Sequence, residues 1–269
     1  MLYDRDYRIL SEKEKNLWDQ AELLFEKAKD SDGSYNLHDA AQYHLNLPVA
    51  AYHYQQLFPN NFLNPSFLRD TDTVKVGIDK FKSVLNDATS EREILNHIRT
   101  ERSYYIIGAI LNLYPFGHHR AFLFKEFELP PNHVVDYLLI GKNSDGYHFV
   151  FVEMESPVGQ ITLSDGALGT AFRKGLNQIS DWESWLESNF SHLKLMFEKF
   201  LGATSILPNE FFEFDKSRIH FVVVAGKRKD FKEKTYSIRR KYLKSMGVNI
   251  LHYDNLVDLA YKLAANRLY

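Results

Sequence analysis

The sequence predicts a mixed α/β domain preceded by a mainly helical region. Three observations predict it. Residues 121–129 (AFLFKEFEL) alternate apolar and polar positions as a half-buried strand does. Residues 218–226 (RIHFVVVAG) are almost continuously apolar, the character of a parallel or central strand. Stretches of helical periodicity lie before, between and after such runs, so helices and strands alternate along the chain.

The elements follow in order. Residues 11–29 form an amphipathic helix: Ser11 and Glu14 have capping-box spacing, and Leu17, Ala21, Leu24 and Ala28 recur at helical intervals. DSDG at 30–33 stops it. Residues 34–70 are aromatic, rich in Asn and broken by Pro48, Pro59 and Pro65, which predicts short helices and turns. Residues 73–86 fit a helix, or a strand leading into one. The boundary is placed near residue 85, giving a helical region 1–85 and an α/β domain 86–269. A helix and a short turn are predicted over 90–111. Strands follow at 121–129, 133–141 and 147–156, with Pro130, Pro131 and the turn KNSDG between them and Pro157 after. A long helix falls within 165–190, a strand at 218–226, a basic helix at 232–246, a strand at 248–254, and a last helix to the end.

Composition narrows the class. The chain has 269 residues, 45% hydrophobic and 25% charged, as ordinary globular proteins have. A net charge of −2 is weak evidence against bulk attraction to nucleic acid, since acidic ligands and local basic patches cancel in the sum. There are no cysteines, which excludes disulfides and thiolate chemistry and fits a reducing cytoplasm. The N-terminal stretch is charged and has no secretory h-region, and no window is apolar enough to span a membrane. A cytoplasmic protein without membrane contact is expected. No glycine-rich phosphate loop and no G-x-S-x-G elbow is present, so ATP-driven and serine-hydrolase chemistry have no support.

The residues that carry chemistry lie on the second and third strands. Asp136 sits inside HVVDYLLIG, where an isolated acid is costly to bury. Glu153 and Glu155 are two apart in FVFVEMES and therefore share a strand face. Pairing these strands brings three carboxylates together, which repel one another unless a cation lies between them. All-oxygen donors suit Mg²⁺ or Mn²⁺. The plain alternative is a solvated acidic edge.

The spacing resembles that of the PD-(D/E)XK superfamily: an acid on one strand, a turn, then acid-x-Lys on the next. Here Glu155 stands where that lysine usually is. The text downstream is similar to the Shedu family of anti-phage nucleases. Its catalytic strand is followed by a proline and a helix carrying Gln and then Asp-Trp, here Pro157, Gln178, Asp181 and Trp182. A terminal block has Gly226, Lys227 and Arg228 after an apolar strand, a basic helix, and then Tyr253, Asp254, Asn255 and Leu256. The resemblance covers about residues 88–265. It implies a restriction-endonuclease-like fold with a mixed central sheet flanked by helices, metal-dependent DNA cleavage in phage defence, and homo-oligomers. It also implies that the N-terminal region regulates or senses.

By the same resemblance Asp136, Glu153 and Glu155 are the active-site acids and metal ligands, and Gln178 approaches them from the helix. An acid on the first helix often completes such a site, and Glu93 is preferred over Glu91 and Glu101. The missing lysine is sought in Lys125 or in Lys174, one turn before Gln178. Lys174 and, within a basic run that is otherwise a solvated face, Lys227, Arg228, Arg239 and Arg240 are the expected DNA contacts. His118 and His119 fit a surface loop, His148 has the wrong parity to join the acids, and Trp182 and Trp185 fit core packing. Against the nuclease stand two rivals: a catalytically inactive module of the same fold that binds nucleic acid or a phage protein, and a structural α/β protein whose acids do not converge.

Overall fold

The computed structural model describes residues 2–29 and 32–269. They divide into two compact units, one of residues 3–62 with 197–207, the other of residues 63–196 with 208–269.

The smaller unit is helical, with α1 (Glu12–Lys27), α2 (Leu37–Asn46) and α3 (Val49–Tyr54). The Ser11/Glu14 capping box forms: Ser11 N donates to Glu14 Oε2 (2.9 Å) and Glu14 N to Ser11 Oγ (3.3 Å). Ala21 is buried, but Leu17 and Leu24 are exposed. Stacked rings do much of the packing instead: Phe25 on Tyr35 and Tyr43, and Tyr7 on His53. The stop expected at 30–33 begins on residues 30 and 31, which lie outside the described residues.

The larger unit holds α4 (Thr71–Asp87), α5 (Glu91–Glu101) and α6 (Tyr105–Gly108), then β1 (Arg120–Leu129), β2 (His133–Asn143) and β3 (Gly146–Met154). Beyond them come α7 (Thr170–Asn189), β4 (Ile219–Val224), α9 (Glu233–Met246), β5 (Val248–Leu251) and α10 (Tyr253–Asn266), with α8 (Leu193–Glu198) crossing the limit of the two units at residue 196/197. The mixed α/β core flanked by helices is present as the sequence predicts. Some limits differ. Arg102 turns left-handed (φ 51°) and ends α5, and short helical turns follow over 105–113. His252 is the N-cap of α10, so Tyr253 and Asp254 belong to that helix and not to β5. The stretch left open between helix and strand is α4, which buries Val74, Ile78, Phe81 and Leu85 and packs on α5 and α10. By compactness the larger unit takes up the chain at residue 63, with 197–207 joining the smaller unit.

The sheet order is β1-β2-β3-β4-β5. β1, β2 and β3 are antiparallel neighbours, whereas β4 lies parallel to β3 and β5 parallel to β4. The change of direction has a chemical reason in the chain. Tight turns join β1 to β2 and β2 to β3, while α7 and α9 lie in the crossovers that parallel neighbours require. Helix α7 packs on β3 and β4, with Phe172, Ile179, Trp182 and Leu186 buried. Gly175 permits that approach: a Cβ there would lie 2.7 Å from Val223 Cγ1 and 3.3 Å from Glu155 Cγ. Glycine is poor in a helix interior, so this position is set by packing and not by propensity. Among the described residues no helix is long and apolar enough to cross a membrane.

Candidate active site

The register of the β2–β3 hairpin builds the site. Tyr137 pairs with Val152, so Asp136 and Glu153 come next, opposite each other on the same face. Glu153 in turn pairs with Val223 of β4, on the face that α7 covers. β3 ends at Met154, and Glu155 lies just past it. There Glu155 N still donates to Val224 O (2.8 Å), and its own carbonyl accepts from the buried Tyr253 hydroxyl (2.7 Å). The second acid is thus held by the sheet on one side and by α10 on the other.

Both glutamates are nearly removed from water, at 4% exposure each. An uncompensated buried carboxylate is costly, so its surroundings are informative. Asp136 Oδ2 accepts from Met154 N at 2.7 Å, which favours its charged form. Burial outweighs that bond, and together with Glu155 raises the Asp136 carboxyl above its usual range. Glu153 is raised further, by burial first and then by Asp136 and Glu155. Glu91, in the first turn of α5, belongs to the same group: burial, Asp136 and Glu155 push it up to about 7. Four carboxylates therefore repel one another at one end of the sheet.

One cation answers them. Lys174 Nζ lies 2.9 Å from Glu155 Oε1. Its stem is 63% exposed while Glu155 is enclosed, so the lysine reaches inward from the rim of α7. Glu155 and then Glu153 hold its ammonium in the charged form. The positive charge that the acid-x-Glu strand lacks comes from the helix. Gln178 lies one turn further on the same face. Its Oε1 is buried and accepts no hydrogen bond among the described residues.

Other expected residues lie elsewhere. Glu93 is turned away from the acids and accepts from Thr89 Oγ1 (2.9 Å) and Ser90 Oγ (2.7 Å) at the start of α5. These bonds hold it below the usual carboxylate range. The acid of that helix which joins the group is Glu91, two residues earlier. Of the basic residues, Lys227 Nζ donates to Asn86 O (3.0 Å) and the Arg228 guanidinium pairs with Asp258. Arg239 is half-buried, and Arg240 is exposed. Tyr253 N donates to Gly226 O (3.0 Å) and Arg228 N to Asp254 Oδ2 (2.7 Å), so the two parts of the terminal block brace each other. Gly226 makes that turn at φ 68°, where a Cβ would meet Ile161. His118 and His119 are exposed, Trp182 is in the core, and Trp185 Nε1 donates to Pro130 O (2.8 Å). His148 points to the opposite face and stacks on Phe116.

Sequence reasoning did not single out Gly175 or the Tyr253 hydroxyl. A lone glycine within the otherwise helical 170–189 stretch was the available signal for the first. Nothing local marks the second, whose partner is 98 residues away.

The carboxylates are oxygen donors, buried and mutually repelling, the donor type a hard divalent cation takes. Among the described residues no three His, Cys, Asp or Glu side chains are already arranged as a metal cage. A family model, Shedu protein SduA, C-terminal, matches residues 60–257. No curated protein matches the chain. With most of its length matched, the chain belongs to the Shedu family, a membership that suggests a part in anti-phage defence.

Proposed function

We propose that this chain is a Mg²⁺- or Mn²⁺-dependent endodeoxyribonuclease of cytoplasmic phage defence, hydrolysing phosphodiester bonds of DNA. The observation that carries the proposal is the meeting of Asp136, Glu153 and Glu155 with a lysine ammonium 2.9 Å from the last of them. An acid group with one inward lysine is the chemical content of the PD-(D/E)XK motif, here with the lysine on α7 in place of the strand.

Asp136, Glu153 and Glu155 would hold the metal, which when bound supplies orientation of water and neutralisation of phosphoryl charge. The chain's own groups do the rest. Lys174 would place a positive charge beside the scissile phosphate. Gln178 has an amide free to position the water or a phosphate oxygen. Glu91 belongs to the same acid group, and burial with the neighbouring acids raises its carboxyl, so it is placed to serve as a general acid or base. Residues 1–85 regulate the activity or sense its trigger, and the active form is a homo-oligomer.

One observation favours a second reading. Asp136 already accepts from Met154 N and Glu155 already faces Lys174, as they would in a module that binds nucleic acid or a phage protein without cutting. Cleavage of linear and supercoiled DNA separates the two. Wild-type cutting that needs Mg²⁺ or Mn²⁺, stops in EDTA and is lost in Glu153→Ala supports the nuclease. DNA retarded on a gel but never cut under either metal gives the binding module.

A further inference from the structure

We propose that the cavity between α5 and the β1–β2 edge docks a backbone phosphate of the nucleic-acid strand, beside the scissile bond. The inference rests on the nuclease reading for the strand's identity, but it concerns different residues. The cavity has a volume of about 240 Å³ and is lined by Arg92, Asn96 and Arg99 of α5, Lys125 and Glu126 of β1, and Asp136 of β2. Asp136 belongs to the acid group as well, so cavity and candidate active site adjoin.

The lining has the chemistry of a phosphate seat. Arg92, Asn96 and Arg99 follow at four and three residues and share one face of α5. Asn96 Oδ1 accepts from the Arg99 guanidinium at 2.9 Å, which limits where that guanidinium swings. Two planar guanidiniums and an ammonium match the oxygens of a phosphodiester. None of the three cations is in an ion pair among the described residues, although two carboxylates line the same cavity. Their charge is thus available to a ligand. Tyr104 and Tyr137, both buried, complete the lining. The cavity is several times the ~30 Å³ share of one water, so it takes more than a bare anion.

The backbone adds an independent mark. Glu126 has φ 49° in the interior of β1, although it is not glycine. Lys125 pairs with Tyr137 and Phe127 with Val135, so this left-handed residue stands opposite Asp136. Strained positions of this kind cluster at binding and active sites.

The test compares the full chain carrying Glu153→Ala with the same chain carrying Arg92→Ala, Arg99→Ala and Lys125→Ala in addition. Binding of a fluorescent single- or double-stranded DNA is titrated across salt concentrations. Loss of affinity of tenfold or more, with the slope of log K against log salt shallower by about one, supports the seat for one phosphate. The arginines are exposed, and an unchanged melting temperature shows that the loss is not unfolding. Unchanged affinity and slope overturn the seat, whether or not the wild type cuts DNA. Pocket-dependent binding by a wild type that never cuts keeps the seat and rejects the nuclease. Binding of a nucleoside monophosphate in place of any strand, or of neither, overturns the proposal.

Discussion

Strand β3 buries titratable groups on both faces, and the two faces solve the problem differently. On the α7 face, Glu153 lies among Asp136, Glu155 and Glu91, and Lys174 pairs with Glu155. On the other face, His148 stacks on Phe116 with ring centroids 4.4 Å apart and lies 3.4 Å from His220. Burial lowers the pKa of both histidines, His220 to about 4, so that face stays neutral at physiological pH. Aromatic rings and neutral imidazoles need no counter-ion. The acids do, and Lys174 supplies only one positive charge. The contrast teaches that the histidine face is built for stability, while the acid face keeps an electrostatic cost that a bound cation would remove.

The largest effect expected is on chemistry. Glu153→Ala should abolish metal-dependent DNA cleavage, by roughly 10²-fold or more if the residue acts on the reacting water or its metal. His220→Phe should leave cleavage within a few-fold of wild type. Equal losses from both substitutions, measured as initial rates on supercoiled DNA, would break the comparison between the faces.

Next comes the packing that lets α7 reach the acids. Gly175→Ala brings a methyl to 2.7 Å from Val223 Cγ1. Overpacking of this kind costs about 1–3 kcal/mol, against which helix propensity returns up to about 1 kcal/mol. A lower melting temperature together with weakened cleavage is expected. An unchanged protein would mean that α7 sits further from the sheet.

The pH dependence sharpens the comparison. Asp136, Glu153 and Glu91 all have pKa values raised by burial and mutual repulsion, so the folded chain binds more protons than the unfolded one. Stability is then fully present below the ordinary carboxylate range near 4 and is lost as the pH rises through the raised values, which for Glu91 means about 7. In EDTA the melting temperature should fall over that interval. Glu153→Gln should flatten the fall and stabilise the protein above neutral pH by on the order of 1–2 kcal/mol, since a tenfold change in proton affinity is worth about 1.4 kcal/mol. The histidine face should contribute the opposite slope below about pH 6.5, because His148 and His220 are held neutral. A melting temperature that rises from about pH 5 to 8 in both proteins would contradict the acid group.

The smallest effect expected is at Arg228. Its guanidinium pairs with Asp258 at an exposed position, and such pairs contribute about 0–1 kcal/mol. Arg228→Ala should change the melting temperature little. A loss of DNA retention larger than that caused by the α5 and β1 substitutions would return the main contact to the basic run.

From the sequence alone came the element order, the mixed sheet and the meeting of Asp136 with the Glu153/Glu155 pair on adjacent strands, because period-two alternation and a short turn constrain a hairpin; the register that sets Asp136 opposite Glu153 came from the structure. The sequence also narrowed the missing lysine to Lys125 and Lys174. Tertiary structure alone shows which of them pairs with Glu155: Lys174 does so, where α7 comes close to the sheet at Gly175. It alone decided that Glu91 and not Glu93 joins the acids: the two lie in the same helical turn, and only the orientation of α5 and the cap bonds to Thr89 and Ser90 tell them apart. The brace from Tyr253 to Glu155 likewise depends on a contact across 98 residues, for which local pattern carries no signal.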